Sequence, residues 1–178
     1  MRQVVLIAFF TTLSLSGYSQ REKNAVYPTY NKLVMAGYQG WFAAEGDSSG
    51  RGWYHYKSSC AFKPGCAAID FWPEVSEYKK IYPTPFKHPD GSTAFLYSPY
   101  DEETVDLHFK WMKEYGIDGV FMQRFVIEVK NENGKRHFNK VLQNALKAAK
   151  KYLRAISVMY DLSGCSSADL AFIQKDLE

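Results

Sequence analysis

The chain has 178 residues, enough for one domain with a sizeable core, and its 46% hydrophobic and 23% charged residues mark it as globular rather than disordered. A formal net charge of +3, with no dense run of Lys or Arg, excludes a nucleic-acid footprint of the usual kind. Aromatic residues reach 16%, with 13 Tyr, 12 Phe and 4 Trp, more than a modest core needs, which points to aromatic clefts or surfaces.

The N-terminus reads as an export signal. Met1-Arg2 gives a positive start, Val4 to Leu15 an apolar stretch, and Gly17-Tyr18-Ser19 sets small residues where a signal peptidase reads them. Cleavage after Ser19 is expected, leaving residues 20–178 as one domain in the periplasm or the extracellular medium. The apolar stretch is short for a bilayer span, so no membrane association is expected after cleavage. Export permits disulfides, and Cys60 and Cys66 flank the turn-prone AFKPG, where they could bridge or remain two thiols; Cys165 is left over. There is no C-x-x-C pair and no His cluster, so no metal site is expected.

Lys32 to Trp41 (KLVMAGYQGW) is the first strand candidate, with Gly37 and Gly40 near its end. From Phe42 to Pro99 no long amphipathic period appears; the stretch is expected to be a long loop, with at most a short helix starting at Pro73. Ser98 can cap the next helix, and Asp101, Glu102 and Glu103 complement its positive end. Val105, His108, Phe109, Met112 and Tyr115 recur at helical spacing before Gly116, and the apolar run Ile117 to Met122 reads as a second strand. Glu128 to Arg136 (EVKNENGKR) reads as a polar hairpin-like loop with a turn at Asn133-Gly134. Phe138, Val141, Leu142, Ala145, Ala149 and Tyr152 then define a helix, Ala155 to Tyr160 a third strand, and SADLAFIQKDLE a last helix capped by Ser166 or Ser167.

Strands alternating with helices imply a parallel sheet. A three-stranded parallel sheet would leave two exposed edges. The expected fold class is therefore α/β, a (β/α)8 TIM barrel cut short after about three β/α units; a complete small α/β domain is the blander alternative.

Ligands of parallel α/β folds meet the carboxyl ends of the strands. Those ends offer Tyr38 and Trp41, then Gln123 and Arg124, then Asp161, and the loop after the first strand adds Trp53, His55, Asp70 and Trp72. Aromatic faces beside Gln, Arg, Asp and His suit a sugar, whose C–H faces stack on rings while its hydroxyls need fixed polar partners. These nine residues are the candidate substrate-binding set, and Asp161 is the best single carboxylate for catalysis. No phosphate-binding glycine loop, nucleophile elbow or dinucleotide fingerprint occurs, so no cofactor is expected.

The segments VMAGYQGWF, GWYHY, DFWPEVSEY, VDLHFKWMKEYGIDGVFMQRF and ISVMYDLSG, in this order, resemble exported proteins related to glycoside hydrolase families 71 and 99, some described as xylosidase/arabinosidase. The likeness runs from about Leu33 to the end of the chain. It implies a (β/α)8 barrel acting on glycosidic bonds of a polysaccharide or glycan, with the three strands as its first three. In family 99 the catalytic glutamates form a Glu-x-x-Glu pair in the later half of the barrel. Here that spacing occurs only at Glu74-Val75-Ser76-Glu77, in the loop after the first strand, so the role is not carried over. The catalytic pair is expected outside these residues, and the chain alone is expected to turn over little or no substrate. A non-catalytic carbohydrate-binding protein of the same fold is the alternative.

Overall fold

The computed structural model describes residues 26–177; the expected signal segment, residues 1–19, and its cleavage point lie outside them. Three parallel strands form the central sheet in the order β1 (Met35–Tyr38), β4 (Gly119–Phe125), β5 (Ala155–Asp161). Their registers run Met35↔Gly119 to Tyr38↔Met122 and Gly119↔Ala155 to Phe125↔Asp161. The stretch from Phe42 to Pro99, expected to be a long loop without strands, instead contains a separate antiparallel hairpin, β2 (Tyr82–Lys87) and β3 (Thr93–Leu96).

Helices α1 (Glu102–Glu114) and α3 (Glu132–Tyr152) pack on one face of the central sheet. Val105, Phe109 and Met112 of α1 and Val141, Ala145, Ala148 and Ala149 of α3 close over Val120 and Met122 of β4. Alternation along the strands turns Phe121, Gln123 and Phe125 to the other face, where Gly37 and Met159 are exposed.

The described residues do not form the expected (β/α)8 barrel. A barrel strand has a hydrogen-bonded neighbour on each side, whereas among the described residues β1 and β5 each pair only with β4, leaving an open sheet with two edges there. The second antiparallel sheet also departs from the all-parallel barrel pattern.

Two local expectations change as well. Ser98 does not cap α1; Asp101 is its N-cap residue, and the buried Ser98 hydroxyl donates instead to Asp47 Oδ2 at 2.7 Å. The expected hairpin loop from Glu128 to Arg136 is helical. A short helix, α2 (Val126–Val129), follows β4 directly, and α3 starts six residues before Phe138 because Asn131 caps it, accepting from the Asn133 and Gly134 backbone N–H groups. Gly134 is needed there: a Cβ on it would sit 2.2 Å from the Glu128 carbonyl oxygen, so any side chain would push α2 and α3 apart. After β5 come a 3-10 turn, Ser167–Asp169, capped by Ser166, and α4 (Leu170–Leu177).

The segment between β1 and α1 has its own core. Ala44, Trp53, Tyr56, Phe62, Tyr82 and Leu96 are buried together, with Phe42, Trp72 and Phe86 against them. Cys60 and Cys66 form a disulfide across this region, and Cys165 is free.

Candidate functional site

A cleft of about 460 Å3 opens beside the carboxyl end of β4. Gly50, Arg51 and Tyr54 form one wall; Ile127 and Glu128 of α2, with Asn131, Asn133 and Gly134 at the start of α3, form the other. Both walls follow from local sequence. On one side the glycine-rich turn after β1 brings Arg51 and Tyr54 back over the strand ends. On the other, the Asn131 cap and the Gly134 contact hold α2 and the first turn of α3 close together.

Glu128 is the chemical centre. Its Oε2 accepts from Arg51 NH2 at 2.5 Å and its Oε1 lies 3.1 Å from His55 Nε2. Burial works against a charged carboxylate here, but the hydrogen bonds from His55 and Arg51 outweigh it and hold Glu128 below the usual carboxylate range. The Arg51 guanidinium lies 3.6 Å over the Tyr54 ring. Its side chain is only 7% exposed, and its NH1 group has no hydrogen-bond partner.

Trp41 and His55 form the inner end of the site. Gly40, at φ +61°, turns the chain out of β1, and a Cβ there would meet Val141 Cγ1 at 2.7 Å. The Trp41 ring then stacks on His55 at 4.1 Å and on Phe125 at 5.0 Å, and its indole N–H is buried without a partner. His55 itself has φ +62°, left-handed backbone that costs a non-glycine residue on the order of 1 kcal/mol. The turn thereby directs the imidazole at Glu128.

The sequence-derived candidates separate into four groups and one exposed residue, Asp70. Trp41 and His55 reach the Glu128 cluster. Gln123 and Asp161 meet at the sheet's open face, where Gln123 Nε2 donates to Asp161 Oδ2 at 2.6 Å. Hydrogen bonds from Ser163, and then from Gln123, hold the Asp161 carboxyl below its usual range. Arg124 and Tyr38 point the opposite way, into the helix layer. Arg124 donates to both oxygens of Asp176, at 2.5 and 2.9 Å, and to Asn139 at 2.9 Å, an ion pair that ties α4 to β4. Tyr38 bonds His108 Nδ1 at 2.8 Å, and Tyr78 bonds His108 Nε2 at 2.6 Å. In the segment before α1, Trp53 is a core residue and Trp72 packs half-buried against that core, their indoles donating to Glu45 and to the Phe95 carbonyl, and Asp70 is exposed.

Arg51, Tyr54, Glu128 and Asn131 were not singled out in the sequence. The available signal was position: Glu128 lies three residues beyond the end of β4, at the ligand-facing end of a parallel strand. Among the described residues no group of three His, Cys, Asp or Glu side chains is arranged to hold a metal ion.

Chemically, the cleft presents an ion-paired carboxylate, the Arg51 guanidinium, two Asn side chains and a Tyr ring, with His55 bonded to Glu128 from outside the lining. Glycosidic hydrolysis needs two carboxyl groups roughly 5 to 10 Å apart, one of them protonated. Among the described residues Glu128 is the single carboxylate lining this cleft, and a carboxyl held below its usual range is no proton donor at neutral pH. Hydrogen-bonding groups fixed beside an aromatic ring are chemically suited to a polar ligand. No family model, curated protein or solved structure matches this chain.

Proposed function

We propose that this is an exported carbohydrate-active protein, with glycoside hydrolase chemistry on poly- or oligosaccharides as its functional context, and that the Glu128 cleft is where its saccharide is held. The observation that carries this reading is the Arg51–Glu128–His55 cluster beside Tyr54 at the end of β4: fixed charged hydrogen-bonding groups next to an aromatic ring. The ordered motifs that resemble glycoside hydrolase relatives support the same substrate class. The Cys60–Cys66 disulfide agrees with export to an oxidising compartment.

The binding role is favoured over turnover by these residues, because one ion-paired carboxylate lines the cleft. A panel of oligosaccharides titrated calorimetrically into the purified protein tests the reading, with reducing-end release measured in parallel. Saturable binding without release is expected, and Tyr54→Ala should weaken it about tenfold. Absence of binding to every saccharide at millimolar concentration would contradict the proposal, and robust release would show that the catalytic groups lie within this chain after all.

A further inference from the structure

The cleft does not stop at Asn133. A second groove, of about 430 Å3, lies along α3 and is lined by Tyr100, Lys135, Arg136, Lys140 and Gln143 together with Glu132 and Asn139. Arg136 stands between the two. It lines the second groove, and its NH2 donates to the Ser49 carbonyl at 3.0 Å and to Asn133 Oδ1 at 3.1 Å, next to residues that wall the first. A Cβ added to Gly50 would also sit 3.6 Å from Arg136 NH2. The two hollows therefore adjoin across one guanidinium, with Tyr54 in one and Tyr100 in the other.

The charge along this path is one-sided. Arg51, Arg136, Lys135 and Lys140 line it, against the carboxylates Glu128 and Glu132. Glu128 is already paired with Arg51, and Arg51 retains an unpartnered NH1. Lys135 lies 3.8 Å from Asp176, but that carboxylate is itself held by Arg124 on both oxygens. Among the described residues Arg136 and Lys140 have no carboxylate within ion-pair distance; the acceptors of Arg136 are neutral. The positive end of the 21-residue helix α3 adds to the same field. A neutral glycan would leave these cations facing solvent; an anionic one would pair with them.

We infer that the site takes an extended acidic saccharide, a chain carrying uronic-acid carboxylates, and that Arg136 is the specificity-determining residue that reads a carboxylate between the two grooves. The inference rests on the saccharide-binding reading above and names its substrate class. A guanidinium suits this task because its planar donors match a carboxylate in pairs, which a lysine ammonium does not.

The test titrates three probes into the protein: a uronic-acid tetrasaccharide, the same tetrasaccharide after carboxyl reduction, and a sulfated neutral tetrasaccharide. The uronic-acid form should bind about tenfold more tightly than its reduced form, with the margin shrinking at high salt. Arg136→Gln should remove that margin and leave binding of the reduced form within about twofold of wild type. Because Arg136 also braces the Ser49 turn, Lys140→Gln serves as a second variant free of that role; it should narrow the margin in part. Equal affinity for the uronic-acid and reduced forms, or a margin that survives both substitutions, overturns the inference while leaving saccharide binding intact. Tighter binding of the sulfated probe overturns the assignment to a carboxylate. Binding of none of the three overturns the saccharide reading itself.

Discussion

The helix-backed sheet and the segment between β1 and α1 hold together by different means. In the first, aliphatic residues at helical and strand periods close over one another: Val105 and Phe109 of α1, Val141 and Ala145 of α3, Val120 and Met122 of β4. In the second, rings pack on each other outside any helical or strand period, Trp53 tilted against Phe62 and Phe42 stacked on Tyr56, and a short disulfide loop adds a covalent tie. The first region makes a platform with parallel strand ends. The second lays aromatic and charged side chains over those ends. The cleft forms where the two meet, with Arg51 and Tyr54 from the second region facing Glu128 and Asn131 from the first.

That division predicts where substitutions hurt most. The largest effect is expected inside the platform. Arg124→Ala leaves the Asp176 carboxylate, whose side chain is 3% exposed, buried without its main partner, and should cost about 3 to 5 kcal/mol of stability. Replacing both partners with apolar residues, Arg124→Met with Asp176→Leu, should recover most of that loss. Chemical denaturation measures both; a cost under about 1 kcal/mol for the single change would mean that α4 contributes little to the platform.

The next largest effect lies on the seam between the regions, which two histidines cross. His108 of α1 is bonded by Tyr78 from the second region, and His137 of α3 donates from Nε2 to the Gly40 carbonyl just past β1. Burial lowers both imidazoles to about 4, against an ordinary value near 6.5. Each is therefore neutral in the folded protein at a pH where the unfolded chain already binds a proton. Their contribution is fully present above about pH 6.5 and is lost as the pH falls toward 4, on the order of 3 kcal/mol for each. Thermal unfolding followed across that range should show the midpoint falling with acid. His108→Gln should flatten part of the slope, and a slope unchanged by it would detach His108 from the seam.

The smallest effect is expected in the second region. Cys60→Ser opens a bridge between residues only 6 apart, and so short a loop should cost about 2 kcal/mol. The helical signal in circular dichroism should stay intact, because the platform does not depend on this bridge.

The same contrast explains what could be read in advance. Helical spacing found α1 and the core of α3, where Phe109 and Val141 are buried, and short apolar runs found β4 and β5, where Met122 of β4 is buried. The hairpin escaped notice because Pro83 and Pro85 mask β2, and what holds the hairpin is ring packing across the chain rather than a local pattern. Asn133-Gly134 looked like a turn signal, yet the glycine serves the close contact with Glu128 inside a capped helix start. Gln123 and Arg124 looked like one polar tip, and strand alternation sends one to the open face and the other into the helix layer. Barrel closure could not be read from repeated β/α units, because the sequence does not reveal whether the edge strands find partners; among the described residues β1 and β5 each pair on one side only.

The most direct test is a backbone amide NMR titration with an acidic oligosaccharide. Saturable shifts should gather on Gly50 to Tyr54, on Ile127 to Gly134 and on Arg136, while the hairpin from Tyr82 to Leu96 stays still. Shifts centred on the hairpin, or none at saturating saccharide, would contradict a saccharide site at the meeting of the two regions.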